Sequence, residues 1–451
     1  MGLYGNNELL LREISAIKER CRIPGLAIGI LCGGDSLLHT DGVINANNPV
    51  PVDADTLFQI ASITKTFNAL LVMLLCGKGR VSLDTTIKSI APDFAVRDKD
   101  AGNRATVRHI LTHTGGWEGE MAGCPDKGED SLKELMKSVA ELPQLTPLGK
   151  IWGYNSVGFC ILGYALECLL GLPYEKIIHD TVLAPLGMGD SVFAAGDAIL
   201  RKAAVGHYVV DGEVKVAAPW GIPRAMRPSG GLVTSLNDML RYLRFLLALD
   251  NPPVFDGEDA MLREMFARQC AASGPADAVG LSWMIRYING EKIIRHGGAS
   301  LGQYSEILFI PERKFGFVIL LNGDDDSDSV GEIAAAILRE YTGLPYRRTF
   351  PEPAKLDLPA LQKYQGCYRG LTEDIDIVPS ETGLTLTYSY KKIYPGQTEI
   401  PAPPPPMHAV FYAADRAYIE ENQVMCDFFA GDSGEVAFLR HGNKVLAKSG
   451  S

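Results

Sequence analysis

Apolar residues recur along most of the chain with the spacings of helices and buried strands. Residues 7–20 place Leu10, Ile14 and Ile17 on one face of a helix, and Gly25–Cys32 is an almost continuous apolar run typical of a buried strand. The same patterns predict further helices at 106–116, 131–142, 156–171 and 329–342, and further strands at 36–40, 280–287, 291–296, 304–310 and 315–321. Strands at both ends with helices between them predict an α+β domain whose sheet joins its two ends.

The pattern changes after a proline-containing segment at 351–359. The rest of the chain shows short alternating strands separated by Gly, Asp and Asn turns, which is typical of a small all-β barrel. These strands are predicted at Asp374–Val378, Leu384–Ser389, Ala409–Tyr412 and Ala437–Arg440. We therefore predict a first domain at 1–348 and a barrel domain at 356–451. The proline-rich stretch 401–406 is interpreted as a surface loop in preference to a peptide ligand, and a rigid loop leaning over the neighbouring active site is a third alternative.

Composition limits the partners and the compartment. The formal net charge of −11 at pH 7 argues against nucleic acid and anionic membranes, and no apolar run is long enough to span a bilayer. The nine cysteines are an odd number with no C-x-x-C pair, which favours reduced thiols over disulfides or a zinc site. The first residues lack the features of a secretory signal. A cytoplasmic location is favoured, although a mature exported chain would begin in the same way.

The strongest candidate for chemistry is the stretch from Leu57 to Cys76. It places Ser62 at the start of an apolar helix and Lys65 one turn later, on the same helix face. The helix N-terminus adds unpaired N–H groups and partial positive charge, and a desolvated lysine can take the proton of a serine nucleophile. The alternative is that Ser62 only caps the helix. Ser-x-x-Lys alone is weak evidence because this chain contains it three times, but only this copy combines helical spacing with a buried setting.

Serine–lysine chemistry also needs a second proton-handling group and an oxyanion hole. Tyr154 ends a glycine-broken loop just before a predicted helix, so its hydroxyl can project into a cleft. In His296-Gly-Gly-Ala299 the two glycines remove side chains where another backbone or a ligand comes close. A strand there can offer the Ala299 N–H to an oxyanion, with the Ser62 N–H as its partner. The alternative is a plain glycine turn.

Two loops, 115–130 and 215–227, are predicted to wall the pocket, and they carry Trp117, Trp220 and Met226. His113, in His-Thr-Gly at the end of a predicted helix, is interpreted as a structural residue.

In chain order, these segments resemble the motifs of the serine β-lactamase and penicillin-binding-protein superfamily. They are Ser62-Ile-Thr-Lys65, Leu111-Thr-His-Thr-Gly-Gly, Tyr154, Pro228-Ser-Gly-Gly-Leu and His296-Gly-Gly. The chain is most similar to the class C-like branch, which includes carboxylesterases, D-amino-acid peptidases and peptide-cyclising thioesterases. The five motifs keep their order across residues 20–345, so the resemblance is specific. Peptidase- and thioesterase-type members often carry a lipocalin-like C-terminal barrel.

The resemblance implies a β-lactamase/transpeptidase-like domain, with an antiparallel sheet flanked by helices, followed by a lipocalin-like barrel. It implies a Ser62 nucleophile, Lys65 and Tyr154 sharing the base and acid roles, and the Ser62 and Ala299 amides as the oxyanion hole. His296 joins the predicted catalytic group because similar peptidases and cyclases carry histidine there. Gly298 and Trp220 are predicted to lie with Ala299 in the substrate-binding group.

The chain departs from the family pattern at two motifs. The middle motif of the family is Tyr-x-Asn, but here it is Tyr154-Asn155-Ser156, so Ser156 takes the place of the amide-binding asparagine unless Asn155 shifts to serve. The third motif is usually Lys-Thr-Gly in penicillin-recognising members. His296-Gly-Gly removes the cation and the hydroxyl that would hold a β-lactam carboxylate. This favours ester, thioester or D-peptide substrates over penicillins.

We therefore expect a serine hydrolase that acts through a Ser62 acyl-enzyme on a small-molecule or peptidyl acyl substrate, with weak or no β-lactamase activity and no cofactor. One alternative is a thioesterase that passes the acyl group to the amine of a nonribosomal peptide and closes a ring. Another is a non-catalytic scaffold or penicillin-binding sensor of the same fold. The sequence leaves the oligomeric state open.

Overall fold

The structure is a computed structural model, and it describes residues 7–120, 124, 126, 128–274, 276–324, 328–354, 356–391, 400, 402–422 and 424–449. Of the proline-rich stretch, residue 401 lies outside the described residues, and 402–406 form irregular backbone before a barrel strand. All nine cysteines are free thiols. No single described helix is long and apolar enough to cross a membrane, although the bent pair Ser156–Leu170 and Tyr174–Leu183 passes a test of length and composition together.

The first domain contains an antiparallel sheet of eight strands that joins its two ends. The strands of this domain are β1 Gly25–Cys32, β2 Asp35–Gly42, β3 Leu57–Gln59, β4 His207–Val210, β5 Glu213–Val216, β6 Val233–Ser235, β7 Cys270–Ala271, β8 Ala278–Val279, β9 Met284–Ile288, β10 Glu291–Ser300, β11 Gln303–Ile310 and β12 Phe315–Leu321. The order in the large sheet is β2-β1-β12-β11-β10-β9-β8-β7. Ile28 of β1 lies opposite Ile319 of β12, so the predicted closure of the sheet is confirmed.

Helices cover both faces of this sheet. The α-helices of this domain are α1 Asn7–Arg20, α2 Thr64–Gly77, α3 Ile87–Ile90, α4 Lys99–Arg104, α5 Val107–Leu111, α6 Ser131–Val139, α7 Ser156–Leu170, α8 Tyr174–Ile178, α9 Ala195–Ala198, α10 Arg227–Gly230, α11 Leu236–Leu246, α12 Glu258–Met265 and α13 Ser329–Thr342. Leu26, Ile28 and Ile30 of β1 face a core formed with α1 and α13, whereas Ala27 and Leu31 face the larger core that contains α2, α7 and α11. Because β1 is covered on both faces, its sequence is continuously apolar.

Several predicted elements of this domain have different bounds in the structure, and two of them differ next to a left-handed residue. The strand predicted at 280–287 begins at Met284, because Ser282 adopts a φ of 65° that interrupts extended backbone. The helix predicted at 106–116 ends at Leu111, and His113 adopts a φ of 55° beyond it. This left-handed residue changes the direction of the backbone after the helix.

The second unit is a closed barrel of eight antiparallel strands, preceded by α14 Leu358–Gln362. The strands are β13 Gly366–Arg369, β14 Glu373–Pro379, β15 Leu384–Tyr390, β16 Met407–Ala413, β17 Arg416–Ile419, β18 Val424–Ala430, β19 Val436–His441 and β20 Lys444–Lys448. Tyr368 of β13 pairs with Lys448 of β20 and closes the barrel. Its interior forms a hydrophobic core of its own. The predicted antiparallel sheet flanked by helices, followed by a small closed β-barrel, is therefore confirmed.

Candidate active site

Ser62 lies in a single 3₁₀ turn, Ala61–Ile63, between β3 and α2. Ala61 has a φ of 46°, a left-handed conformation that costs a non-glycine residue of order 1–3 kcal/mol. Thr64 Oγ1 donates a hydrogen bond to the Ala61 carbonyl at 2.6 Å, which helps to hold this backbone. The turn presents Ser62 at the start of a buried helix, as the sequence predicts.

Lys65 is almost completely buried, with 1% of its surface exposed. Its Nζ donates to Ser62 Oγ at 3.0 Å and to the Ser229 carbonyl at 2.5 Å. The same nitrogen lies 5.0 Å from the ring centre of Tyr154 and 5.6 Å from that of Phe159, both within cation–π range. The amine is thus held within hydrogen-bonding distance of the serine hydroxyl and against the ring of Tyr154.

Tyr154 lies on the segment that leads into α7, and its ring is stacked on a buried histidine. The ring centre of His113 lies 4.5 Å from that of Tyr154, with an angle of 22° between the planes. His113 Nδ1 accepts the Asn155 N–H at 2.9 Å, and its carbonyl accepts the Gly153 N–H at 3.1 Å. Burial, followed by the charge of Lys65, holds the pKa of His113 well below its usual value. A neutral His113 therefore supports the segment that carries Tyr154.

Strand β10 runs straight through the two glycines and lies against the turn that carries Ser62. A Cβ at Gly298 would collide with the Ile60 carbonyl oxygen, and Ser305 Oγ of β11 donates to that same oxygen at 2.9 Å. Beyond Arg295, β9 no longer pairs with β10, so this edge of β10 is open. Ala299, the next residue after Gly298, is exposed on this open part of the strand. The two glycines thus permit a close backbone approach, and the alternative of a plain glycine turn is not seen.

His296 is buried and uncharged. Its Nδ1 lies 2.7 Å from the Gly297 carbonyl, so we place the ring proton on Nδ1, and its buried Nε2 has no hydrogen-bond partner among the described residues. Burial, with a smaller contribution from Lys65, lowers the pKa of His296 to about 3. Its ring centre lies 6.3 Å from that of Tyr154. His296 therefore offers an unused proton acceptor near the tyrosine.

The structure uses the side chain of Asn155 within the protein. Its Oδ1 accepts the Gly158 N–H at 2.8 Å and caps α7, while its Nδ2 donates to the Trp117 carbonyl at 2.9 Å. Asn155 is thus a scaffold residue, and its geometry gives no support to the predicted substrate contact. Ser156 is half-buried in the first turn of α7, and its N–H donates to the Gly119 carbonyl at 3.0 Å.

Trp220 lies in the wall of a cleft of about 410 Å³ that also contacts Gln59, three residues before Ser62. Its Nε1 donates to the Ala204 carbonyl at 2.9 Å, which fixes the ring. Phe193 and Arg227 line the same cleft, and the sequence did not single them out. Among the described residues, no group of three or more His, Cys, Asp or Glu side chains is arranged to hold a metal ion.

Comparisons with known proteins identify the first domain. The family model described as Beta-lactamase matches residues 10–342. Penicillin-binding protein 4 of Amycolatopsis lactamdurans is 28% identical over 351 residues, which are 76% of this chain and 92% of that protein. Protein flp of Staphylococcus aureus (strain MRSA252) is 24% identical over 314 residues, which are 67% of this chain and 60% of that protein.

Solved structures match one or both domains. SurE with D-leucine has a TM-score of 0.75 at 19% identity, covering 98% of this chain and 99% of that one. The octameric penicillin-binding protein homologue from Pyrococcus abyssi has a TM-score of 0.66 at 22% identity, covering 98% and 100%. A class C β-lactamase has a TM-score of 0.63 at 21% identity, covering 74% and 96%. These structures share the fold, and the family model covers most of the first domain: the chain belongs to the β-lactamase family, whose members are generally serine hydrolases.

Proposed function

We propose that the protein is a serine acyl hydrolase that acts on ester, thioester or D-peptide-like amide substrates, with weak or no β-lactamase activity. The observation that carries this proposal is the 3.0 Å hydrogen bond between Lys65 Nζ and Ser62 Oγ at a lysine that is almost fully buried. A serine hydroxyl becomes a nucleophile when a neighbouring base takes its proton. The proposal therefore begins from this pair.

In acylation, Lys65 Nζ accepts the Ser62 proton as the serine oxygen forms a bond to the substrate carbonyl carbon. The Ser62 and Ala299 amides donate to the resulting oxyanion. Tyr154, whose ring lies against Lys65, delivers a proton to the leaving group as the carbonyl–leaving-group bond breaks. Water then attacks the carbonyl carbon of the acyl-enzyme and gives a proton to the Tyr154 oxygen, while Lys65 returns its proton to Ser62 Oγ as the bond between Oγ and the acyl carbon breaks. The acid is released, and Ser62, Lys65 and Tyr154 return to their starting states.

His296 supports a substrate other than penicillin. Penicillin-recognising members of the resembled superfamily usually place a lysine at this position, where its charge holds the substrate carboxylate. A histidine whose pKa is lowered to about 3 carries no charge near neutral pH and cannot supply that attraction. The name of one relative, penicillin-binding protein 4, makes a penicillin a necessary member of any substrate panel.

The test is a panel of a nitrophenyl ester, nitrocefin, a D-alanyl anilide, a peptidyl thioester and a labelled penicillin, with the mass of the trapped acyl-enzyme measured. We expect a single acyl adduct on Ser62, its loss in Ser62→Ala, and fast turnover of the ester or D-amide relative to nitrocefin. Ser15→Ala is the matched control because Ser15 belongs to another Ser-x-x-Lys copy, on α1. Full ester hydrolysis by Ser62→Ala would overturn the proposal, and absence of any adduct on the wild type would favour the non-catalytic alternative.

A second candidate is acyl transfer to an amine of the substrate, which closes a peptide ring. It is favoured by the barrel, which packs directly on the Tyr154 segment and limits the access of water there: the Tyr154 N–H donates to the Asn443 carbonyl at 2.7 Å. It uses the same residues and differs only in the group that attacks the acyl-enzyme. The product mass from a peptidyl thioester decides between the two, since hydrolysis yields a linear acid and transfer yields a cyclic amide.

A further inference from the structure

The barrel contacts the segment that carries Tyr154 through a buried ion pair. Arg440 of β19 and Asp427 of β18 lie opposite each other in the barrel wall, with 2.6 Å between Nη2 and Oδ2. Arg440 is 5% exposed and Asp427 is 3% exposed. Arg440 also contacts the first domain: its Nη1 donates a hydrogen bond to the Trp152 carbonyl at 3.2 Å. Its guanidinium carbon also lies 5.7 Å from the centre of the Trp152 ring.

Two further contacts continue along the same segment. The Tyr154 N–H donates to the carbonyl of Asn443, in the turn between β19 and β20. Between these two hydrogen bonds lies Gly153, where a Cβ would come within 2.6 Å of Val445 Cγ2 on β20. Only glycine lets the segment and the barrel strand approach this closely. Three successive residues, 152–154, therefore rest on the barrel.

The first domain holds the opposite side of the segment. His113 accepts the Asn155 N–H, its carbonyl accepts the Gly153 N–H, and its ring supports the Tyr154 ring. The segment is thus clamped between His113 and the barrel, and the backbone groups at Trp152 and Tyr154 receive hydrogen-bond partners from the barrel. Removing these partners would leave buried polar groups unsatisfied, which favours a different path for the segment.

We infer that Arg440, oriented by Asp427, is a positioning residue: through Trp152 it fixes the segment that places Tyr154 against Lys65. The inference rests on the proposed function, because it assigns the barrel a part in that reaction. Arg440 acts through the backbone of Trp152 and is given no contact with substrate. A planar guanidinium suits this task because it pairs with Asp427 and donates to a third group at once.

The sharpest test is a compensating pair across the domain contact. Gly153→Ala adds the methyl group that meets Val445, so it should push the Tyr154 segment away and lower kcat by about 10- to 100-fold with little change in KM. Val445→Ala removes the side chain that the new methyl group meets. We expect the double variant Gly153→Ala/Val445→Ala to recover most of the lost kcat and the wild-type pH profile of kcat. Hydrogen exchange at the Tyr154 amide should rise in Gly153→Ala and fall again in the double variant.

A second variant tests the arginine. Arg440→Lys keeps a positive charge beside Asp427 but loses the planar donor to the Trp152 carbonyl, so kcat should fall about 10-fold while KM stays within about twofold. Lys363→Met is the control, since Lys363 belongs to an exposed barrel ion pair with Asp415. It should leave kcat and its pH profile unchanged.

A folded Gly153→Ala protein with wild-type kcat, or a double variant no more active than the single one, would overturn the inference. So would an Arg440→Lys protein with unchanged kcat and pH profile. These outcomes differ from failure of the proposed function, in which the wild-type protein itself forms no acyl-enzyme and Ser62→Ala changes nothing.

Discussion

The turn at Ser62 and the segment at Tyr154 place their side chains by opposite means. Ser62 and Lys65 are three residues apart at the start of one helix, so local geometry brings the amine to the hydroxyl. Tyr154 is positioned by His113, 41 residues earlier, and by Asn443, 289 residues later. The first arrangement follows from helix spacing, whereas the second depends on distant contacts within the first domain and with the barrel. The proposed nucleophile is therefore placed by local geometry, and the proposed proton-handling tyrosine by tertiary contacts.

The largest effect on activity is expected for Lys65→Met, which breaks the locally formed pair of Ser62 and Lys65. Methionine fills a similar volume but cannot accept the Ser62 proton, so kcat should fall by about 10²–10⁴-fold or more. The measurement is steady-state hydrolysis of the best panel substrate, with circular dichroism to show that the variant is folded. Lys18→Met, in the Ser-x-x-Lys copy on α1, should keep wild-type activity. A Lys65→Met protein with more than about a tenth of wild-type kcat would remove Lys65 from the mechanism.

The next largest effect, on stability, is expected for Asp427→Asn, which changes the buried ion pair of the barrel that contacts the Tyr154 segment. The change leaves Arg440 buried without its carboxylate, which should cost about 3–5 kcal/mol in the free energy of unfolding. Urea unfolding followed by barrel and first-domain probes measures this cost. Asp415→Asn, at the exposed pair with Lys363, should cost no more than about 1 kcal/mol. Equal losses in the two variants would contradict the importance of the buried pair.

A smaller effect on activity is expected in Tyr154→Phe. Phenylalanine retains the ring that stacks on His113 and removes only the hydroxyl, so the loss should lie near the lower end of acid–base effects, about 10²-fold in kcat. Acyl-enzyme formation and its hydrolysis are measured separately by stopped flow and mass. If neither step slows, the hydroxyl has no part in proton transfer, and the arrangement around Tyr154 is a packing feature.

The smallest effect is a pH dependence of stability that comes from the buried histidines. The pKa of His296 is lowered to about 3 by burial, so this histidine stabilises the folded protein above its unfolded pKa of about 6.5, and the contribution is lost as pH falls through the interval between them. At pH 5 the loss for His296 alone is about 2 kcal/mol relative to pH 7. Urea unfolding at both pH values, on wild type and His296→Gln, should show the larger loss in wild type. A loss of equal size in both would contradict the prediction.

The sequence predicts those features of the structure that depend on residues close together along the chain. The Ser62–Lys65 pair, the close backbone approach at Gly298 and the sheet that joins the domain's ends follow from helix spacing, glycines and apolar runs. Four barrel strands were predicted out of eight. One missed strand, β18, has apolar Met425 and Phe429 at positions that alternate with its barrel-core residues Cys426 and Phe428, so it lacks the apolar–polar alternation that the prediction uses.

Tertiary contacts explain what was missed at the site. Asn155 precedes a helix and has the composition of a cap, and the structure uses it as one, although the family motif suggested a substrate contact. The sequence analysis interprets His113 as structural, and nothing in the sequence indicates that its ring supports Tyr154. Arg440 lay inside a predicted strand, with nothing to indicate that it reaches the other domain. Contacts between residues hundreds of positions apart leave no periodic signal in one sequence.

The pairing of β1 with β12 limits the order in which the chain can fold while it is being synthesised. Leu26 lies opposite Leu321, 295 residues later, so at 5–20 residues per second the first strand waits about 15–60 s for its partner to be translated. Until then β1 can pair with β2, but its other edge lacks a partner strand. The turn at Asn443 is translated later still, 122 residues after Leu321. The contact between the barrel and the Tyr154 segment can therefore form only after the strands of the large sheet have been translated.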